Sequence, residues 1–175
     1  MLNTSQLAKD ELLTLIQKEN FVGWIYSIDY EKALVITNDL WKSNVKGIPH
    51  NSFLLATSFE PDKYGEADEA DKEIILLRVI GSCRLPQDDD MIKTKIDNYQ
   101  NKTGVFNDES GFDSLTRNRL QFGGLECRVL GTFYMKQQEL NLGSDVETFY
   151  TSLQMRVFMP TSNSLEKVVN FVDPI

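Results

Sequence analysis

The residues able to do chemistry are few: one histidine, His50, and two cysteines, Cys83 and Cys127. A thiol becomes a nucleophile when a base or a cation lowers its pKa, so a Cys–His pair is the first arrangement to consider. His50 lies in VKGIPHNSFLLA, behind Pro49 and ahead of an apolar run. Both cysteines fall in segments that read as buried strands, where thiols are inert. A zinc site would need His50, both cysteines and a further ligand to converge. The stretch 47–50 reads instead as a bend fixed by Pro49, across which His50 can hydrogen-bond.

Metal and phosphate chemistry leave equally little trace. Asp88-Asp89-Asp90 supplies three adjacent carboxylates. Consecutive residues at a helix start point in different directions, so the triplet reads as an N-cap with favourable charge. Lys42-Ser43, Lys93-Thr94 and Lys102-Thr103 end like a P-loop but lack its preceding glycines. No lysine has an acid two positions before it, as a restriction-type nuclease usually requires. Gly123-Gly124 has the backbone freedom to approach a phosphate, but between a helix and a strand it reads as a helix stop. The expectation is a chain with no catalytic residue, no cofactor-binding residue and no metal ligand, hence not itself an enzyme. Partner or oligomer contacts are expected at Trp41, His50 and Arg117. Trp41, in a long connection, either pins that connection to the body or meets a partner. Arg117 and Arg119 cannot share one helix face, so one of them is free for a partner while the other forms an internal ion pair.

Alternation and punctuation place these residues on strands. A helix is expected over 1–20, capped by Thr4 or Ser5, with Leu7, Leu12, Leu15 and Ile16 on one side. FVGWIYSI (21–28) and ALVITND (33–39) read as a hairpin across Asp29-Tyr30-Glu31. A loop over 40–51 leads to SFLLATS (52–58), and EIILLRVIGSC (73–83) reads as a central strand. Between them, 60–73 has no apolar face and reads as an exposed, mobile connection. Residues 86–122 read as a helical insertion, with a second helix at 113–120. Strands resume at 124–135, 138–143, 153–160 and 165–172, with a short helix at 145–150 behind a Ser144/Glu147 capping box. Six or seven short strands predict a mainly β fold, a small closed barrel over 21–175 with a helix before it and one insertion. Closure suits such strands because it removes exposed edges.

Composition narrows the classes further. With 175 residues, 41% of them hydrophobic, the chain has enough for one domain with a proper core. No apolar run reaches ~18 residues, so no membrane span is expected. The N-terminus lacks the basic start and apolar stretch of a secretory signal, and a cytoplasmic protein with free thiols is expected. The net charge is −8, and residues 60–73, with seven acids and two lysines, carry −5 of it. Such a chain is repelled by a phosphate backbone, which argues against free-standing nucleic-acid binding.

Four segments carry a resemblance: DYEKALVITNDLWKSNVKGIPHNSFLLA, EIILLRVIGSCRLP, LTRNRLQFGGLECRVLGTFY and LGSDVETFYTSLQMRVFMP. Together they resemble the N-terminal HAS-barrel of bacterial HerA-like ATPases, of the FtsK/HerA superfamily, over about residues 21–175. GIPHNSFLLA and LECRVLGTFY look closest to the branch that acts in anti-phage defence. The resemblance implies a β-barrel ahead of a RecA-like ATPase core, in a hexameric ring that translocates DNA. It implies a homo-oligomer, a nuclease or a sirtuin-like, NAD-cleaving effector as partner, and DNA contact only through the whole ring. The P-loop, the acidic metal-holding motif and the arginine finger of that family lie beyond the barrel. ATP and Mg are therefore expected only in a core absent from this chain, whose own work would be assembly and partner docking. The alternative is a stand-alone small-barrel enzyme or ligand-binding sensor that uses His50 or a cysteine.

Overall fold

The computed structural model describes residues 11–68, 71–85, 122–137, 139–143 and 155–172. Seven strands form one antiparallel sheet: β1 (Phe21–Ile28), β2 (Lys32–Asn38), β3 (Phe53–Thr57), β4 (Ile74–Cys83), β5 (Phe122–Lys136), β6 (Glu139–Gly143) and β7 (Arg156–Phe158). The order is β2-β1-β7-β3-β4-β5-β6, and β2 also pairs with β5. That extra pairing, from Lys32↔Arg128 to Asn38↔Phe122, closes six strands into a barrel and leaves β6 outside. β5 is long enough to serve two partners along one edge, β2 over its first half and β6 beyond Thr132. Among the described residues no helix is long and apolar enough to cross a membrane.

Side chains alternate across a strand, and here both faces of the barrel wall are used. Val22, Ile25, Val35, Leu54, Ile75, Leu77, Cys127 and Val157 belong to an inner core fed by all six barrel strands. Leu55, Ile74, Leu76, Phe133 and Phe158 face outward into a second core with Leu12, Leu15, Ile16 and Val168. This double burial explains why β3 and β4 read as continuous apolar runs rather than alternating ones. Thr37 is buried in the wall, and its Oγ1 has no hydrogen-bond partner among the described residues. β1 and β2 approach so closely that a Cβ on Gly23 would lie 2.0 Å from the Ile36 carbonyl oxygen.

Several expectations need correction. Residues 165–172 are not a strand but part of a helix, α2 (Ser162–Val172); a shorter helix, α1 (Asp39–Asn44), stands earlier in the chain. The Thr161 hydroxyl accepts from Ser164 N at 3.1 Å and caps α2, and Val168 turns into the outer core while Val169 is exposed. The loop expected over 40–51 opens with α1, capped by the Asn38 side chain, which accepts from Trp41 N at 2.8 Å. The strand expected over 153–160 spans only 156–158 among the described residues. Gly123 and Gly124 are not a helix stop; both lie inside β5, paired with Thr37 and Ile36. The acidic connection has an apolar side after all: it forms a 3-10 segment (Pro61–Glu66) that buries Tyr64 against Phe59, with ring centroids 5.1 Å apart. At the N-terminus, residues 11–13 are helical, and a 3-10 turn (Lys18–Asn20) precedes β1. The start of that helix, the insertion over 86–121 and the capping box at Ser144 lie outside the described residues.

Candidate functional site

Trp41 sits in α1, half-buried, edge-on to Phe21 at 5.0 Å and to Phe122 at 6.0 Å. Phe21 in turn meets Trp24 at 5.4 Å and Phe158 at 5.8 Å. Trp41 thus fastens the β2–β3 connection to the barrel, the first of its two expected roles. His50 is exposed and donates from Nε2 to the Ile80 carbonyl at 3.0 Å. The Asn51 amide donates to the Val79 carbonyl at 2.9 Å beside it, so this bend is stitched to the middle of β4. Arg117, Arg119 and Asp88-Asp89-Asp90 lie outside the described residues.

The cysteines do not pair with His50. Cys127 points into the inner core, where burial pushes its thiol up to about 12. Cys83 is half-buried and lies 3.5 Å from the Tyr26 hydroxyl. Among the described residues, no group of three or more His, Cys, Asp or Glu side chains is placed to hold a metal.

The barrel's outer wall carries a feature that local sequence did not reveal. In register across three adjacent strands stand Lys32 on β2, Arg128 on β5 and Arg78 on β4, followed by Phe53 on β3. Their neighbours Ala33, Cys127, Leu77 and Val79 point inward, so all three cations point out, and all three are exposed. Lys32 meets Glu126 at 3.0 Å, and this contact raises its pKa. Arg78 lies over the Phe53 ring, 5.5 Å from its centroid. Neither arginine has a carboxylate partner among the described residues. Beside the row is an open depression of about 550 Å³ lined by Asp29, Tyr30, Glu31, Lys32, Ile80 and Arg128. The Asp29 carboxylate accepts from the Glu31 and Lys32 amides at 2.9 and 2.7 Å, which fixes the β1–β2 turn and lowers its pKa. Each cation is an isolated charge in its own segment. Only the strand register brings them together, although Arg78 inside IILLRVI does signal an outward position.

The acidic segment presents the opposite charge. Glu60 is taken by Arg156 at 2.7 Å and by Lys63 at 3.5 Å, and Asp62 is taken by Lys18. Glu66, Asp68 and Asp71 are exposed and without an ion-pair partner among the described residues.

Compared with known proteins, the chain matches no protein-family model and no curated protein.

Proposed function

We propose that this chain is an assembly and partner-docking barrel, of the kind that stands ahead of the motor in HerA-like DNA translocases. One observation carries the reading: a closed six-stranded antiparallel barrel filled with aliphatic side chains, whose charged groups lie on its outer wall. A barrel packed in this way offers partners a rigid surface. On this reading ATP and Mg act in a following core, and the work in a cell is anti-phage defence with a nuclease or NAD-cleaving effector. The test is the natural reading frame beyond residue 175. A G-x-x-x-x-G-K-[ST] motif after a strand, within the next ~50 residues, is the expected result. A stop codon directly after residue 175 would remove the motor and sink the proposal.

A further inference from the structure

Arg78 and Arg128 face each other in register on neighbouring strands. Neighbouring strands lie about 4.8 Å apart, and like charges directly opposite destabilise a sheet. The pair therefore costs the isolated chain stability, and a carboxylate set between the two guanidinium groups relieves that cost. Arginine suits this task because its planar fork takes a carboxylate through two parallel hydrogen bonds. Ile80, 40% exposed, adds an apolar border.

Unpaired carboxylates are on the same chain but elsewhere. Glu66, Asp68 and Asp71 lie on the connection that enters β4 at Ile74, whereas Arg78 is four residues further along that strand. At roughly 3.3 Å per residue this is about 13 Å of strand, and no ion pair joins the two sets among the described residues. Among the described residues, each chain thus holds two arginines, Arg78 and Arg128, without a carboxylate and an anionic segment without a cation, apart from one another. Asp29, Glu31 and Glu126 flank the cations and would repel a long polyanion.

We infer that the Lys32–Arg128–Arg78 row receives the Glu66–Asp68–Asp71 segment of a second copy of this chain. The contact is heterologous: each copy uses one face of each kind and leaves the other open, so the association propagates head to tail and makes a ring where the rotation closes. This deepens the assembly reading and rests on it for the ring, while the pairwise contact stands on charge alone.

The test is sedimentation of the 175-residue chain across concentration and salt. Wild type is expected to associate most tightly at low salt and to weaken progressively as the screening length falls to about 8 Å near physiological ionic strength. Reversing one face (Arg78→Glu with Arg128→Glu) or the segment (Glu66→Lys, Asp68→Lys and Asp71→Lys) weakens self-association roughly 10-fold or more. An equimolar mixture of the two reversed chains recovers it, because each supplies the charge the other lacks. Arg78→Gln with Arg128→Gln gives the same loss without placing carboxylates on the wall, and circular dichroism confirms that the barrel is intact. A wild-type chain that stays monomeric at millimolar concentration and low salt overturns the inference, as do reversed chains that associate like wild type. So does a monomer that instead binds a short single-stranded oligonucleotide through Arg78 and Arg128. These failures leave the reading-frame test of the motor untouched.

Discussion

Gly123 and Gly124 are adjacent in β5, yet adding one methyl group to each should have opposite effects. A Cβ on Gly123 meets nothing within 4 Å, whereas a Cβ on Gly124 lies 2.5 Å from the Cys83 carbonyl oxygen and 2.7 Å from its Sγ. Ordinary van der Waals contact begins near 3.4 Å, so the Cys83 oxygen is overrun by nearly an ångström. The sulfur can rotate away, but the oxygen belongs to β4, and β2 holds β5 from the other side at Ile36. The strain therefore spreads into two ladders, and overpacking of this kind costs about 1–3 kcal/mol. Gly123→Ala only restricts the unfolded chain, which stabilises by about 0.4–1 kcal/mol where the backbone tolerates it. For a chain of this size 1 kcal/mol moves Tm by roughly 2–4 °C. Gly124→Ala should thus lower Tm by about 2–12 °C, and Gly123→Ala should raise it by about 1–4 °C. Urea midpoints should separate in the same sense. Adding Cys83→Ala to Gly124→Ala should recover only part of the loss, since the carbonyl remains. Equal effects at the two positions would refute the close approach of β4 and β5 at this point.

Thr37→Val replaces a buried hydroxyl without a partner by a methyl group of similar size and should stabilise by about 1 kcal/mol, read from thermal melts. Trp41→Ala removes two edge-on ring contacts and should cost about 2–3 kcal/mol, with Trp41→Phe retaining part of it in urea unfolding. In the native chain Ellman's reagent near pH 8 should find Cys83 well before Cys127, whose thiol at about 12 stays protonated; in urea both should react at similar rates. Asp29 has a lowered pKa, so the stability it contributes is present above the ordinary aspartate value of about 3.9 and is lost as the pH falls through its folded value. Carboxyl NMR titration should show Asp29 protonating after an unstructured aspartate does, and Asp29→Ala should remove that part of the acid sensitivity.

Strand positions were legible wherever local pattern and tertiary environment agreed. FVGWIYSI maps onto β1 residue for residue, and the β3, β4, β5 and β6 segments shift by only a residue or two at their ends. LEKVVNFV misled because its paired valines and phenylalanine suit a strand locally, while the Thr161 cap and the outer core select a helix. Residues 60–73 misled because one buried aromatic, Tyr64, outweighs the polar composition around it. For Trp41 the sequence left anchoring and partner contact both open, because its ring partners Phe21 and Phe122 come from distant segments. The cationic row was invisible because its members are single residues on three strands, and no short window contains two of them.

The barrel is shut by β2 and β5, two strands that are remote in sequence. Native contacts of such separation are dear in chain entropy during folding, so closure of this seam should come late and set the pace. The β4–β5 hairpin is different. Its last registered pair, Cys83 and Gly124, is already joined, and residues 86–121 run between the two strands. Loop-closure cost rises by only about 0.6 kcal/mol for each doubling of loop length. That span can therefore lengthen, shrink or be exchanged over evolution with little thermodynamic consequence for the barrel. The seam has no such freedom: a slip of one residue there would turn the inner core outward along a whole strand.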